Sequence, residues 1–197
     1  MGDSLSLARQ AAATDADVIV FCGVLFMAET AAILSPQRTV LLPDPTAGCP
    51  LADMITPEAL DKLKTEHPDA LVVSYVNSPA SIKARSDYCC TSGNAVELVR
   101  ALPAGRPILF VPDQHLGKHV MSVTGREMIL WPGYCPTHAR MDAEAIEDLK
   151  RRHPDAVVMA HPECNDRIKA LADEMLSTGQ MLAFVGRSDA RRFIVAT

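Results

Sequence analysis

Trp131-Pro132-Gly133-Tyr134-Cys135-Pro136-Thr137-His138 follows the apolar run Met128-Ile129-Leu130 and sets a thiol and an imidazole three positions apart in a Pro- and Gly-rich turn. An offset of 86 residues leads back to Val40-Leu41-Leu42 and Pro43-Asp44-Pro45-Thr46-Ala47-Gly48-Cys49-Pro50, so Cys49 aligns with Cys135 and Pro50 with Pro136. The same offset relates Glu58 to Glu144, Leu63-Lys64 to Leu149-Lys150 and His67-Pro68-Asp69-Ala70 to His153-Pro154-Asp155-Ala156. It continues through Ile82-Lys83-Ala84 and Ile168-Lys169-Ala170 to Gly93 and Gly179 without a register shift. A match this long without a gap marks two copies of one unit, and so long a period fits duplicated α/β domains better than a solenoid.

Around the repeat, strands and helices alternate. Val18-Ile19-Val20-Phe21-Cys22-Gly23 is β-branched and unalternating, which predicts a fully buried strand of a parallel sheet with Cys22 in the core. Helices are expected over Ser4–Ala13, with Asp3 or Ser4 as cap, over Phe26–Leu34, and after the Thr56-Pro57 start signal, with Asp142 as the equivalent cap. Further strands are expected at Thr39–Leu42, Leu71–Ser74, Pro107–Val111, Val157–Ala160 and Arg192–Val195. Each copy also carries a Ser/Thr/Gly turn that opens a helix, Thr91-Ser92-Gly93 and Ser177-Thr178-Gly179. The class is therefore α/β, with repeated three-layer αβα domains around parallel sheets. Residues 1–42 read as the remainder of a first repeat, 43–128 as a repeat unit with the Cys49 loop, and 129–197 as a second with the Cys135 loop, incomplete at its end. Repeating the offset once more predicts a third cysteine loop beyond residue 197, so the chain is expected to be a fragment of a longer protein.

Composition narrows the function classes. A formal charge of −5 with no basic cluster argues against a nucleic-acid surface, and no apolar run reaches membrane-spanning length. Gly2 followed by Ser6 fits a short acylation pattern, but no polybasic second signal accompanies it and one acyl chain anchors only marginally, so Ser6 is read as a helix residue. Six cysteines without a secretory signal point to a reducing compartment, and a cytoplasmic protein is expected.

In open α/β sheets the functional groups gather in loops at the carboxyl ends of the strands. Tyr75 and Asn77 sit in such a loop of one copy, and His161 and Glu163 hold the equivalent positions in the other. Divergent polar residues at equivalent positions point to one shared, asymmetric site. The Ser/Thr/Gly turns suit anions, because a helix N-terminus offers free N–H groups and hydroxyls add donors; the bland alternative makes Ser92 and Thr178 plain N-caps. Cys49 and Cys135, with a third thiolate from a further copy, would make a metal or iron–sulfur site. A rival set, Cys135-x-x-His138 with His161-x-x-Cys164, spells four zinc-type ligands, although a helix and a strand intervene and Cys49 has no part in it.

Phe21-Cys22-Gly23-Val24-Leu25-Phe26-Met27-Ala28-Glu29-Thr30, Leu42-Pro43-Asp44 with Ala47-Gly48-Cys49, Ser74-Tyr75-Val76-Asn77 and His161-Pro162-Glu163-Cys164 closely resemble quinolinate synthase, the A-protein family of bacterial NAD biosynthesis. The resemblance implies three similar α/β domains about a pseudo-threefold axis, of which this chain would hold about two. It implies a [4Fe-4S] cluster held by one cysteine per domain, here Cys49 and Cys135, with the third ligand absent from this chain. The implied reaction condenses iminoaspartate with dihydroxyacetone phosphate, eliminating water and phosphate, and L-aspartate oxidase is the implied supplier of iminoaspartate. By matching position the resemblance gives catalytic roles to Tyr75, His161 and Glu163 and substrate-binding roles to Ser4, Asn77, Ser92, His138, Ser177 and Thr178. The family's N-terminal His-Tyr-Tyr segment and its third cysteine are missing, so a zinc-stabilised binding domain and a non-catalytic remnant stand as the other readings.

Overall fold

The computed structural model describes residues 4–197; Asp3 as a helix cap and Gly2 of the acylation pattern lie outside the described residues. In chain order the elements are α1 (Ser4–Ala12), β1 (Val18–Val20), α2 (Leu25–Leu34), β2 (Thr39–Leu41), a 3-10 turn (Ala52–Met54), α3 (Pro57–Glu66), β3 (Leu71–Tyr75), α4 (Ala80–Lys83) and β4 (Tyr88–Cys90). They continue with α5 (Ala95–Ala101), β5 (Ile108–Val111), α6 (Gln114–Thr124), β6 (Ile129–Leu130) and α7 (Pro136–Ala139). The last elements are α8 (Ala143–Arg152), β7 (Val157–Ala160), α9 (Asp166–Leu171), β8 (Glu174–Met175), α10 (Thr178–Arg187) and β9 (Phe193–Ala196). Every strand pair is parallel, in sheets ordered β1-β2, β4-β3-β5-β6 and β8-β7-β9. Among the described residues no helix is long and apolar enough to cross a membrane.

The four-stranded sheet shows why its strands carry no polar alternation. Val73, Tyr75, Ile108 and Phe110 point to one face and pack on Val99 of α5 and on Leu116 and Val120 of α6. Val72, Leu109 and Val111 point to the other and pack on Leu60 of α3 and Ile82 of α4. Both faces are covered, so both must be apolar. Burying each of these side chains stabilises the fold by about 1.5–3 kcal/mol. The second copy builds its core from Val158, Ala160, Ile194 and Ala196 against Ile146 of α8 and Ile168 of α9.

The repeat extends to individual hydrogen bonds. Asp87 accepts from the Val72 N–H at 2.8 Å, and Asp173 from the Val158 N–H at 2.8 Å. Lys64 donates to the Arg85 carbonyl at 2.7 Å, and Lys150 to the Leu171 carbonyl at 2.8 Å. His67 and His153 end α3 and α8 in the same conformation, and each N–H caps the leucine carbonyl four residues back. Leu71 faces Ile108 whereas Val157 faces Phe193, so the second copy is one residue shorter between its central strands.

Several local expectations change. β1 ends at Val20 rather than Gly23, and Val18 and Val20 are 51% and 58% exposed. β2 is likewise open, with Leu41 48% exposed. Both strands carry apolar side chains on two faces, but α1 and α2 leave one face of the pair uncovered. Cys22 is exposed in the following loop, not in the core. The short edge strands β4 and β8 and the helix α6 appear where no element was expected. α6 nonetheless has clear end signals: the Asp113 side chain accepts from the Leu116 N–H at 2.7 Å, and Gly125 ends the helix at φ 69°, a conformation that favours glycine.

Candidate active site

The loops that follow β3 and β7 meet across the two copies and enclose a cavity of about 330 Å³. Ser4, Tyr75, Asn77 and Ser92 line it from one side, and Cys135, His138, His161, Glu163 and Thr178 from the other. A larger hollow of about 530 Å³ lies between α1 and the Thr91–Asn94 turn, but it gathers no such set of titratable groups. Of the residues expected in the site, Ser177 and Cys49 do not line the cavity.

A chain of polar contacts crosses the boundary between the copies. The Glu163 N–H donates to His161 Nδ1 at 3.3 Å, which assigns the ring proton to Nε2. That nitrogen lies 3.1 Å from Ser92 Oγ. The Tyr75 hydroxyl donates to Glu163 Oε1 at 2.6 Å, a short bond to an ionised acceptor. Glu163 Oε2 lies 3.3 Å from His138 Nδ1, and the His138 and His161 rings stack with centroids 4.9 Å apart. At the mouth, Ser4 donates to Asn77 Oδ1 at 3.3 Å, and His138 Nε2 lies 3.4 Å from Thr197 Oγ1.

Burial and charge give the two stacked imidazoles opposite states. Burial drives the His161 pKa down to about 4 against the attraction of Glu163, so the ring is neutral. Glu163 Oε1 is 3.6 Å from its Nδ1, outside hydrogen-bond reach, and no ion pair forms there. Burial also opposes charging of His138, but Cys135 and Glu163 beside it outweigh burial and lift its pKa to about 10. Glu163 is itself lowered: burial would raise it, and the contacts from His138, His161 and Tyr75 win. Burial and the neighbouring carboxylate push the Tyr75 phenol well above its ordinary value. Behind the site, burial and then Glu163 push Asp113 up to about 7, and its Oδ2 has no hydrogen-bond partner.

Cys49 and Cys135 stand on equivalent loops, pack against the same apolar cluster and feel one another electrostatically. Burial raises the Cys49 thiol, while the N–H groups of Leu51 and Ala52 favour its thiolate. Two soft donors facing a common region, one already served by backbone N–H groups, fit the thiolate ligation of an iron–sulfur cluster. The four-ligand zinc set does not assemble. Cys164 is buried and turned toward Met141 Sδ and the Ala196 carbonyl, and His161 is committed to Ser92. Among the described residues the group within ligand reach is instead Cys135, His138 and Glu163.

The turns also differ from the plain-cap reading. Ser177, not Thr178, caps α10: it accepts from the Gln180 N–H, and Gln180 returns the bond. That commits Ser177 and leaves the Thr178 hydroxyl on the cavity wall. In the first copy Asn94 occupies the cap position of α5 and its Oδ1 accepts from Thr91, so Ser92 is free to meet His161. Sequence reasoning missed Asp113 and Glu29. Glu29 accepts from the Ala80 N–H at 2.8 Å, tying α2 to the loop that holds Asn77. Gly133 could have signalled the close packing of the Cys135 loop, since a Cβ there would lie 2.4 Å from the Pro112 carbonyl oxygen.

The family model described as Quinolinate synthetase A protein matches residues 1–197. The chain is 56% identical over 197 residues to a quinolinate synthase of Dehalococcoides mccartyi (strain CBDB1), covering all of this chain and 65% of that protein. It is 54% identical over 196 residues to one of Geobacter metallireducens (strain ATCC 53774 / DSM 7210 / GS-15) and 53% identical over 197 to one of Prochlorococcus marinus (strain MIT 9303), covering 64% and 59% of their lengths. The chain therefore spans just under two thirds of the curated relatives it matches, and it belongs to the quinolinate synthetase A protein family.

Proposed function

We propose that this chain carries much of the active site of a quinolinate synthase, which condenses iminoaspartate with dihydroxyacetone phosphate to quinolinate, with loss of water and phosphate, in NAD biosynthesis. The observation that carries the reading is the convergence on one cavity of Tyr75, Asn77 and Ser92 from one copy with His138, His161, Glu163 and Thr178 from the other. Cys49 and Cys135 would hold two corners of a [4Fe-4S] cluster, with a third thiolate from the part of the relatives that this chain does not span. When bound, such a cluster supplies a Lewis-acidic iron for substrate oxygens.

The protein's own groups divide the remaining work. Glu163, kept ionised by His138 and Tyr75, is the proton acceptor for enolisation, and the Tyr75 hydroxyl returns a proton to a departing oxygen through their 2.6 Å bond. His138, protonated at neutral pH, donates to developing negative charge, whereas neutral His161 orients Ser92. The Thr178 and Ser92 hydroxyls, beside the N-terminus of α10, hold a phosphate or carboxylate. Asn77 and Ser4 complete the polar wall. Both substrates are small anions, so no nucleic acid or membrane is needed, and an aspartate-oxidising enzyme such as L-aspartate oxidase would supply the imine. All six cysteines are free, which favours a reducing, cytoplasmic setting.

The test is iron and acid-labile sulfide content after anaerobic reconstitution, on this chain and on one extended to the relatives' full length. The extended chain is expected to take up four iron and four sulfide, to form quinolinate, and to lose both with Cys49→Ser or Cys135→Ser. No sulfide uptake by the extended chain, or a cluster that survives Cys49→Ser, overturns the proposal.

A further inference from the structure

We infer that Cys135 Sγ, His138 Nδ1 and one oxygen of Glu163 form a binding site for a single divalent transition cation of the zinc or cobalt class, with a remaining coordination position open to the cavity. The three ligand atoms lie within 4.8 Å of one another. Tetrahedral zinc with its usual bond lengths places such atoms roughly 3.4–3.6 Å apart, so closure onto a cation needs shifts of about 1 Å. His138 Nδ1 and Glu163 Oε2 are already 3.3 Å apart.

The outward-facing atoms of two ligands are already engaged. Glu163 Oε1 takes the Tyr75 hydroxyl at 2.6 Å, and His138 Nε2 lies 3.4 Å from Thr197 Oγ1. Glu163 Oε2 and His138 Nδ1 are left facing each other at 3.3 Å, and a cation that took the place of the proton between them would meet both donors at once. Outer atoms held in this way are what orient metal ligands. The donor set also selects. One thiolate, one imidazole and one carboxylate suit zinc, cobalt or ferrous iron and disfavour magnesium and calcium, which take oxygen ligands. A thiolate and a carboxylate neutralise a divalent charge in a pocket where Glu163 is only 3% exposed.

The site itself stands on this geometry. Its consequence rests on the reading above: Cys135 cannot serve a lone cation and an iron–sulfur cluster together, so thiophilic cations compete with cluster assembly.

The experiment titrates the cluster-free chain anaerobically with cobalt(II), following thiolate-to-cobalt charge-transfer absorption in the near ultraviolet and ligand-field bands in the visible. Saturation at one cobalt per chain is expected, with bleaching when zinc is added. Cys135→Ser should abolish the charge-transfer band. Losing a partner that merely orients a ligand costs about 10–100-fold in affinity, so His138→Gln and Glu163→Gln should each weaken binding by about 100-fold or more. Cys49→Ser should leave the spectrum and affinity unchanged. A band that requires Cys49 or survives Cys135→Ser overturns the assignment, as does cobalt binding to the unsubstituted chain without a thiolate band, a readout independent of any variant's folding. Zinc loading should also block iron and sulfide uptake by the extended chain. If cobalt binds as expected but zinc does not block, the exclusion falls while the cation site stands.

Discussion

Replacing Glu163 by Gln removes the carboxylate that keeps His138 charged while leaving the shape of the site nearly intact. In the native chain the His138 pKa is lifted from 6.5 to about 10 although burial works against it. A shift of that size corresponds to about 5 kcal/mol of differential interaction between the two ring states, an upper value because water reaches the outer edge of the imidazole. Without the carboxylate, burial is opposed by Cys135 alone, and the His138 pKa in Glu163→Gln should fall well below its native value. The assay is an NMR titration of imidazole-labelled protein, with His138 assigned by its loss in His138→Gln. A second readout follows from linkage. A raised histidine pKa contributes stability that is complete below pH 6.5 and fades as the pH climbs to about 10, so the native chain should lose stability across that window more steeply than the variant. If His138 stays protonated past pH 8 in Glu163→Gln, the charge is held by Cys135 and not by Glu163, and the account of the pair is wrong.

Two further outcomes are expected. Asp113 is fully buried and its pKa is pushed up to about 7, so its stability contribution declines as the pH rises from 3.8 toward 7. Asparagine can keep the helix cap, and the advantage of Asp113→Asn in urea denaturation should widen by up to about 4 kcal/mol between pH 4 and pH 8; a constant gap would show that the buried carboxylate is not strained. Asp87→Ala and Asp173→Ala remove the same bond to a strand N–H in the two copies, at 2.8 Å in each. Each should cost about 1–3 kcal/mol by denaturation, and a large disparity would mean that the two strands are not equivalent supports.

The duplicated scaffold was legible because its supports recur as whole clusters of side chains: the His-Pro-Asp-Ala turn, the lysine that reaches a distant carbonyl, and the Ile-Lys-Ala helix. Where the sequence misled, the missing information was tertiary. Val18-Ile19-Val20 shows what a strand can bury, but not whether another element covers it, and here one face stays open. The edge strands β4 and β8 are too short to carry a period. Most residues that line the cavity could be named through the family motifs, but their pairing could not. Tyr75 meets Glu163 across 88 residues, and no local spacing could reveal that. Asp113 was hidden for a related reason, since a Pro-Asp pair after a strand reads as an exposed turn and its burial depends on the Pro132-Gly133 segment lying over it. Ser177 rather than Thr178 took the capping bond, a choice decided by one residue of helix phase.

The Tyr75–Glu163 bond joins side chains anchored in different copies, each at the end of a strand whose core packs separately. That makes it a gauge of how the two copies sit against each other. A relative slide of half an ångström would leave both cores untouched yet stretch a 2.6 Å contact out of its charge-assisted range. Loosening anywhere along the seam would therefore be felt first by the phenol, and the exchange rate of its hydroxyl proton would report the alignment of the two halves before any change in secondary structure could be seen.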